Sequence, residues 1–162
     1  MKFVFTSIPE TVEEFVSLSQ FGFDSPFQVA ALFIIALCNY PNNPCECYKM
    51  IDSIKGLQKL SPLEKQYISN RMIGKANYIG SSYLQGSTPE NDYTPNYPYN
   101  ILIEESSDTF EEVGFASLFI KTGGSPILRK IKLRTKEGKW YLWEHSELLA
   151  DINRPDSSDP WK

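Results

Sequence analysis

Residues 25–41 form the longest apolar stretch of the chain, and a helix start signal and a stop signal bound it. Ser25 can accept a hydrogen bond from the first turn, and Pro26 suits the first helical position because it has no N–H to leave unpaired. Pro41 disfavours helical geometry in the residue before it. The stretch has no polar stripe to face water, and it is shorter than the roughly 18 to 20 apolar residues of a membrane span. We therefore predict a buried helix at the centre of the protein.

Three further helices are predicted from similar start signals. Thr11 precedes an acidic residue by three positions, and Asn43 and Ser61 each precede a proline. Gly56 and Gly74 suit the ends of the last two helices. These two helices carry apolar side chains at helical spacing: Cys47, Met50, Ile51 and Ile54 in one, and Leu63, Tyr67, Ile68 and Met72 in the other. The first half of the chain, about residues 9–75, is therefore predicted to be helical.

The segment at about residues 84–99 follows neither a helical nor a strand period. It contains three prolines and the tyrosines Tyr93, Tyr97 and Tyr99. A linker between two domains would leave these tyrosines in water, which is unfavourable for such large rings. We expect an ordered loop laid across the surface, and the linker stays as the alternative.

From Tyr99 onward, the pattern takes a period of two, which is typical of strands, and residues 115–120 are apolar on both faces, as in a central strand. Strands are predicted at residues 99–104, 115–120, 127–135 and 140–145. The third strand should place Ile127, Ile131 and Leu133 inside and Leu128, Lys130, Lys132 and Arg134 outside. Helices followed by an antiparallel meander of four strands define an α+β fold, with the helices packed on the sheet.

A chain of 162 residues suits one domain, and we predict a single domain over residues 1–162. Its parts are the helical half at about 9–75, the ordered loop at about 84–99, the sheet half at about 99–145, and a turn and tail over 146–162.

The composition says more about the location of the protein than about its function. The net charge of −4 disfavours nucleic acid as the main partner. Three cysteines are an odd number, and one of them lies in the buried stretch, so a disulfide framework is not expected. The first nine residues contain no sustained apolar region of an export signal. These features predict a cytoplasmic protein that is not bound to membranes.

Candidate catalytic residues are few. His145 is the single histidine, so a two-histidine metal site is excluded, and no nucleophile can be assigned beside it. A histidine on the surface at a strand end is the simpler interpretation. Cys45 lies in the first turn of a predicted helix, where the helix dipole can activate a thiol. Neither a metal ligand set nor a cofactor motif is present in the sequence, so no metal and no cofactor are predicted.

Two features suggest recognition instead. Lys130, Lys132 and Arg134 alternate along one strand and, with Tyr141 and Trp143 alongside, resemble a strip that binds single-stranded nucleic acid or an anion. The tyrosines of the loop at about 84–99 combine large contact area with a polar group, as recognition surfaces do. A solvated basic face and an aromatic cover over the sheet are the simpler alternatives.

Several motifs together resemble a bacterial family of uncharacterised proteins classed as a domain of unknown function. The most specific are the loop Thr88-Pro89-Glu90-Asn91 with Tyr93-Thr94-Pro95 and Pro98-Tyr99, and the strand Gly138-Lys139-Trp140-Tyr141-Leu142-Trp143-Glu144. The resemblance covers almost the whole chain. It implies a single domain and implies no activity, so no catalytic residue follows from it.

Our first hypothesis is a non-enzymatic domain that binds an unidentified protein or small ligand. The candidate surface consists of Tyr93, Tyr97, Tyr99, Lys130, Lys132, Arg134, Tyr141 and Trp143. One alternative is a small enzyme or ligand-sequestering protein with a pocket between helices and sheet. Another is binding of single-stranded nucleic acid or an anion through the basic strand. Self-association through the apolar strand at residues 115–120 stays open.

Overall fold

The four helices begin where a side chain can satisfy the free N–H groups of the first turn. In the computed structural model, which describes all 162 residues, they are α1 (Val12–Val16), α2 (Pro26–Cys38), α3 (Pro44–Ile54) and α4 (Pro62–Met72). The side chains of Thr11, Ser25, Asn43 and Ser61 accept from the backbone of the following turn. The four predicted helix starts are therefore confirmed. Short 3-10 helices lie at Ser81–Tyr83, Pro89–Asn91, Ser146–Leu149 and Asp156–Ser158.

Helix α2 is the helix that packs against the sheet. Every residue from Val29 to Leu37 is fully buried, and the helix contacts strands on one face of the sheet. Helix α3 packs against α2, and α1 packs against α3. None of the helices combines the length and apolar character needed to cross a membrane.

Helix α4 contributes less to the core than its sequence suggests. Ile68 and Met72 are buried, whereas Leu63, predicted to face inward with them, is exposed. Leu63 is the second residue of the helix, beyond the part that reaches the core. Its apolar side chain is therefore left at the surface beside β5.

The sheet has five antiparallel strands, which corrects the predicted four. In order they are β1 (Lys2–Phe5), β2 (Tyr99–Glu104), β3 (Phe115–Ile120), β4 (Arg129–Lys136) and β5 (Lys139–Glu144), and they lie side by side in that sequence. The missed strand is β1, in which Lys2 pairs with Leu102. The N-terminal ammonium also donates to the Ile103 carbonyl at 2.6 Å. A four-residue strand whose partner lies about 100 residues away has no hairpin signal in its neighbourhood.

The segment over residues 84–99 lies along the edge of β2. The Gln85 N–H donates to the Asn100 carbonyl at 2.9 Å, and the Asn96 N–H donates to the Gln85 carbonyl at 3.0 Å. The start of β2 therefore has β1 on one side and this segment on the other. Backbone hydrogen bonds hold the segment in place, as expected for an ordered loop.

The two faces of the sheet differ in burial. The inner face packs on α2 and consists of buried apolar side chains from β2 to β5: Ile101, Ile103, Ala116, Leu118, Ile120, Ile131, Leu133 and Leu142. The outer face carries Phe115, Ser117 and Phe119 of β3 and the alternate residues of β4.

The start of β4 corrects one further prediction. Ile127, expected inside, is 67% exposed, because the pairing with β3 ends at Arg129 opposite Ile120. Arg129 takes the inward position instead and donates to the Asp151 carbonyl at 3.0 Å. The predicted alternation of inward and outward side chains is correct from Arg129 onward, but the strand begins two residues later than predicted.

Candidate functional site

An open cleft of about 660 Å³ lies between the loop that follows α3 and the hairpin that joins β4 to β5. We call it the tryptophan cleft. It is lined by Lys55–Gln58 from the loop, by Arg134–Glu137 from the hairpin, and by Tyr141, Leu142 and Trp143 from β5. Its volume falls within the usual range of sites for small ligands, roughly 300 to 1,000 Å³.

A β-bulge lies at Trp143, which lines this cleft. Lys132 pairs with Glu144 and Leu133 pairs with Leu142, so Trp143 is an extra residue without a partner on β4. Leu142 points into the core, and Trp143 is half-buried beside the outer face. Alternation along β5 puts Leu142 inside and Trp143 outside, and the bulge brings Glu144 rather than Trp143 opposite Lys132.

Arg134 stacks on the indole of Trp143. Its guanidinium carbon lies 4.7 Å from the centre of the Trp143 ring and 5.6 Å from that of Phe115. Arg134 forms no salt bridge with any carboxylate. Stacking holds the guanidinium in place and leaves its charge uncompensated.

The wall of the cleft opposite Arg134 depends on Gly56. This residue has a φ of +75°, which a side chain rarely adopts, and a Cβ there would lie 3.0 Å from Cδ1 of Tyr141. The Tyr141 ring also packs on Phe23, with 5.2 Å between ring centres. Tyr141 is therefore fixed between the loop and the segment that precedes α2.

Trp143 also borders a cluster of titratable groups that the sequence did not suggest. The Lys55 ammonium donates to Oε2 of Glu64 at 3.1 Å, and Nε2 of His145 lies 3.7 Å from the same oxygen. The side chains of Lys55 and His145 are each only 6% exposed. The other carboxylate oxygen of Glu64 accepts from the Ser61 N–H at 3.1 Å, which closes the capping box of α4.

The protonation of this cluster follows from burial and contacts. Burial lowers the pKa of His145 to about 4, and the charge of Lys55 adds to that effect against the attraction of Glu64. Burial by itself raises the pKa of Glu64, but the hydrogen bonds from Ser61 and Lys55 outweigh it and lower that pKa. At neutral pH, His145 is therefore uncharged, and Glu64 and Lys55 form an ion pair.

His145 is not the surface residue that the sequence favoured. Its ring packs on Phe33, with 4.9 Å between ring centres, and Nδ1 is buried without a hydrogen-bond partner. No cysteine thiol or activated hydroxyl accompanies it in the neighbouring depression, whose polar lining is Glu64, Tyr67, Glu144 and Ser146. The arrangement therefore lacks the nucleophile and base pairing of covalent catalysis.

Cys45, the other catalytic candidate, is exposed at the start of α3. Burial raises the pKa of the Cys38 thiol to about 12, so that thiol is protonated. Cys47 is buried, and no group of three or more potential metal-ligating side chains lies together.

The basic strip on β4 is partly neutralised. Lys132 forms a 2.6 Å salt bridge with Glu112, and this hydrogen bond raises the pKa of the lysine. Lys130 and Lys132 lie between two shallow depressions whose acidic lining is Asp108, Glu111 and Glu112 in one and Glu144 and Glu147 in the other. Of the three predicted cations, Arg134 is the one that faces the tryptophan cleft.

Tyr93 does not belong to a surface, which corrects its assignment as an interaction residue. It is 2% exposed, its ring stacks on Tyr78 at 5.3 Å, and its hydroxyl donates to the Asn153 carbonyl. Tyr97 is 68% exposed and donates to the Thr6 carbonyl at 2.8 Å. Tyr99 is half-buried and packs edge-on against Tyr97.

The predicted interaction residues therefore separate into groups. Arg134, Tyr141 and Trp143 meet in the tryptophan cleft, whereas Tyr97 and Tyr99 lie at β2, three strands away in the sheet. Sequence interpretation missed the other wall of the cleft, residues 55–58. Gly56 was identified only as a helix end, and nothing local indicates that its loop faces a hairpin about 80 residues later.

Four helices and a five-stranded antiparallel sheet define an α+β protein. The chain belongs to the family described as Domain of unknown function (DUF6935), which it matches over residues 7–156. No curated protein and no solved structure matches the chain significantly.

Proposed function

We propose that the chain is a single domain that binds a small molecule in the tryptophan cleft without transforming it. The observation that carries this proposal is the position of Arg134 and Trp143. An uncompensated guanidinium stacked on a half-buried indole faces a cleft of ligand size. Ligand sites combine apolar and aromatic lining with a few placed polar groups.

The exposed apolar lining supports the same function. Leu57 is 90% exposed on the loop wall of the cleft, across from Tyr141 and Trp143. An apolar group bound between them would remove all three side chains from water, which is favourable by about 25 cal/mol for each Å² buried.

A catalytic function is less well supported. The Lys55–Glu64–His145 cluster has titratable groups close together, but each is already engaged or buried. The lysine is paired with the glutamate, and His145 is uncharged and packed on Phe33. The salt bridge between Lys132 and Glu112 likewise disfavours nucleic acid along β4.

The proposal of one domain is supported by the core and by the family. A single cluster of buried apolar residues includes members from α2 and from all the strands of the sheet. The family match spans both the helical and the sheet half. The three cysteines form no disulfide, which supports the proposed reducing, cytoplasmic location.

The binding function can be tested with a library of metabolite-sized compounds and saturation-transfer NMR. Compounds that bind the wild-type protein should lose their signal with Trp143→Ala. Trp161→Ala is a matched control, because Trp161 is exposed and does not line the cleft. The proposal is wrong if no compound binds, or if the hits bind Trp143→Ala as well as they bind Trp161→Ala.

The single domain can be tested by limited proteolysis. We expect the helical half and the sheet half to resist digestion together, with one unfolding transition in urea. Early cleavage within residues 84–99 that releases two stable fragments would overturn this part of the proposal.

A further inference from the structure

We propose that the ligand of the tryptophan cleft is a small molecule that joins an aromatic ring to an anionic group, a carboxylate or a phosphate. This inference rests on the proposed binding function and specifies the chemistry of its ligand.

The anionic group is inferred first from Arg134. Its guanidinium forms no salt bridge, and it donates no hydrogen bond to any other residue of the chain. A guanidinium offers a planar set of donors that fits carboxylate and phosphate oxygens in pairs. Stacking on Trp143 fixes the plane in advance, so little further ordering is needed when an anion binds.

The charge of the whole cleft favours the same kind of ligand. Its lining contains Lys55, Arg134 and Lys136 as cations and Glu137 as its single carboxylate. Lys55 is paired with Glu64, which leaves Arg134 and Lys136 free of salt bridges. This local excess of positive charge occurs in a chain whose net charge is −4. The cleft therefore favours anions through charge complementarity, while the chain as a whole repels them.

Arg134 differs from the two lysines that precede it on the outer face of β4. Lys132, two residues earlier on the same face, is bound to Glu112 at 2.6 Å. Lys130 lies among carboxylates outside the cleft. Unlike these two lysines, Arg134 can give its full charge to a ligand in the cleft.

The aromatic ring is inferred from the apolar part of the lining. Tyr141 and Trp143 are half-buried, and each has one side packed on the protein, Tyr141 on Phe23 and Trp143 on Phe115. Aromatic side chains and a stacked guanidinium provide flat contact surfaces that suit a planar ring. A cleft of about 660 Å³ has room for a ring with an anionic group.

Four small probes separate the ring from the charge. The probes are 1-naphthyl phosphate, 1-naphthoate, the neutral 1-naphthamide, and inorganic phosphate, measured by titration calorimetry. The two ring anions should bind the wild-type protein at least about tenfold more tightly than the neutral amide, which lacks the charge, and than inorganic phosphate, which lacks the ring. The tighter of the two ring anions indicates whether the natural group is a phosphate or a carboxylate.

Two variants on the same face of β4 provide the matched comparison. Arg134→Gln should weaken both ring anions about tenfold or more and leave the neutral amide unchanged. Lys132→Gln removes a cation that is already paired, so binding should change less than about twofold. Thermal unfolding of each variant checks that the fold is retained.

The outcomes distinguish this inference from the proposed function. If the charged and neutral naphthyl probes bind equally, and Trp143→Ala abolishes both, the cleft binds ligands but the anionic class is wrong. The class is also wrong if none of the four probes binds while library compounds bind in a Trp143-dependent manner. If neither probes nor library compounds bind, the proposed function fails, and this inference fails with it.

Discussion

The loop over residues 84–99 and strand β5 both concentrate aromatic side chains, but the structure uses them differently. In the loop, Tyr93 is buried, stacks on Tyr78 and donates to a backbone carbonyl. In β5, a bulge leaves Trp143 half-buried beside an uncompensated arginine. Aromatic content alone therefore does not indicate recognition. The role of each ring depends on how far the backbone buries it and on which charged groups lie beside it.

The largest expected effect is on the loop side of this comparison. Tyr93→Ala should lower the free energy of unfolding by about 3 to 5 kcal/mol, because it removes a buried aromatic ring from the core. Urea unfolding monitored by circular dichroism measures the change. Tyr97→Ala, at the exposed tyrosine of the same loop, should cost no more than about 1 kcal/mol. Similar losses for the two variants would show that Tyr93 is not the buried anchor described above.

Acid should destabilise the protein through His145 at the end of β5 and not through a group in the loop. The folded pKa of His145 is about 4 and its ordinary value is 6.5, so the unfolded chain takes up a proton first as the pH falls. Stability should therefore decline from about pH 6.5 down to about pH 4, by roughly 3 kcal/mol. Tyr93, whose pKa burial raises to about 12, does not titrate in this range.

This difference can be measured by urea unfolding at several pH values, with hydrogen exchange to locate it. Backbone protection near His145 should fall in acid before that of residues 84–99 does. His145→Gln should flatten the pH dependence between 6.5 and 4. An unchanged slope in that variant would rule out His145 as its source.

The cleft wall should respond to a single methyl group. Gly56→Ala places a side chain at positive φ and within 3.0 Å of the Tyr141 ring, and we expect a loss of about 1 to 3 kcal/mol. Gly138→Ala has a similar φ of +78° with no atom within 4 Å, so it measures the backbone strain alone. The excess loss in Gly56→Ala, measured by thermal unfolding, reports the contact with Tyr141. Equal losses would mean that the loop does not press on the ring.

The smallest effect on stability is expected at Trp143. Trp143→Ala removes a half-buried ring that packs on Phe115 and Arg134, and it should cost about 1 kcal/mol. A loss in urea unfolding as large as that of Tyr93→Ala would place Trp143 in the core and remove the contrast between the two regions.

The helices were predictable because their signals are local. Thr11, Ser25, Asn43 and Ser61 each satisfy the backbone within three residues, so neighbouring sequence is enough to find every helix start. Strands β2 to β5 could also be predicted from alternation and turns. β1 could not, since its partner is at the other end of a long connection. The inward position predicted for Ile127 was wrong for a related reason, because the length of β4 is set by its pairing with β3.

The candidate site was half predictable. Arg134, Tyr141 and Trp143 could be predicted as a group because they belong to one hairpin. Lys55 and Gly56 could not, because a contact between a helix end and that hairpin leaves no local pattern. The bulge that leaves Trp143 without a partner on β4 and the salt bridge between Lys132 and Glu112 also depend on tertiary structure.

The position of β1 has a consequence for synthesis on the ribosome. Lys2 pairs with Leu102, so about 100 further residues must be translated before the strand finds its partner. At about 5 to 20 residues per second this takes roughly 5 to 20 s. Throughout that interval β1 has no partner strand, and Phe5 has no folded core to pack into. Strand β1 is therefore translated well before it can be fixed, and slower translation before residue 104 would prolong its exposure to other nascent chains.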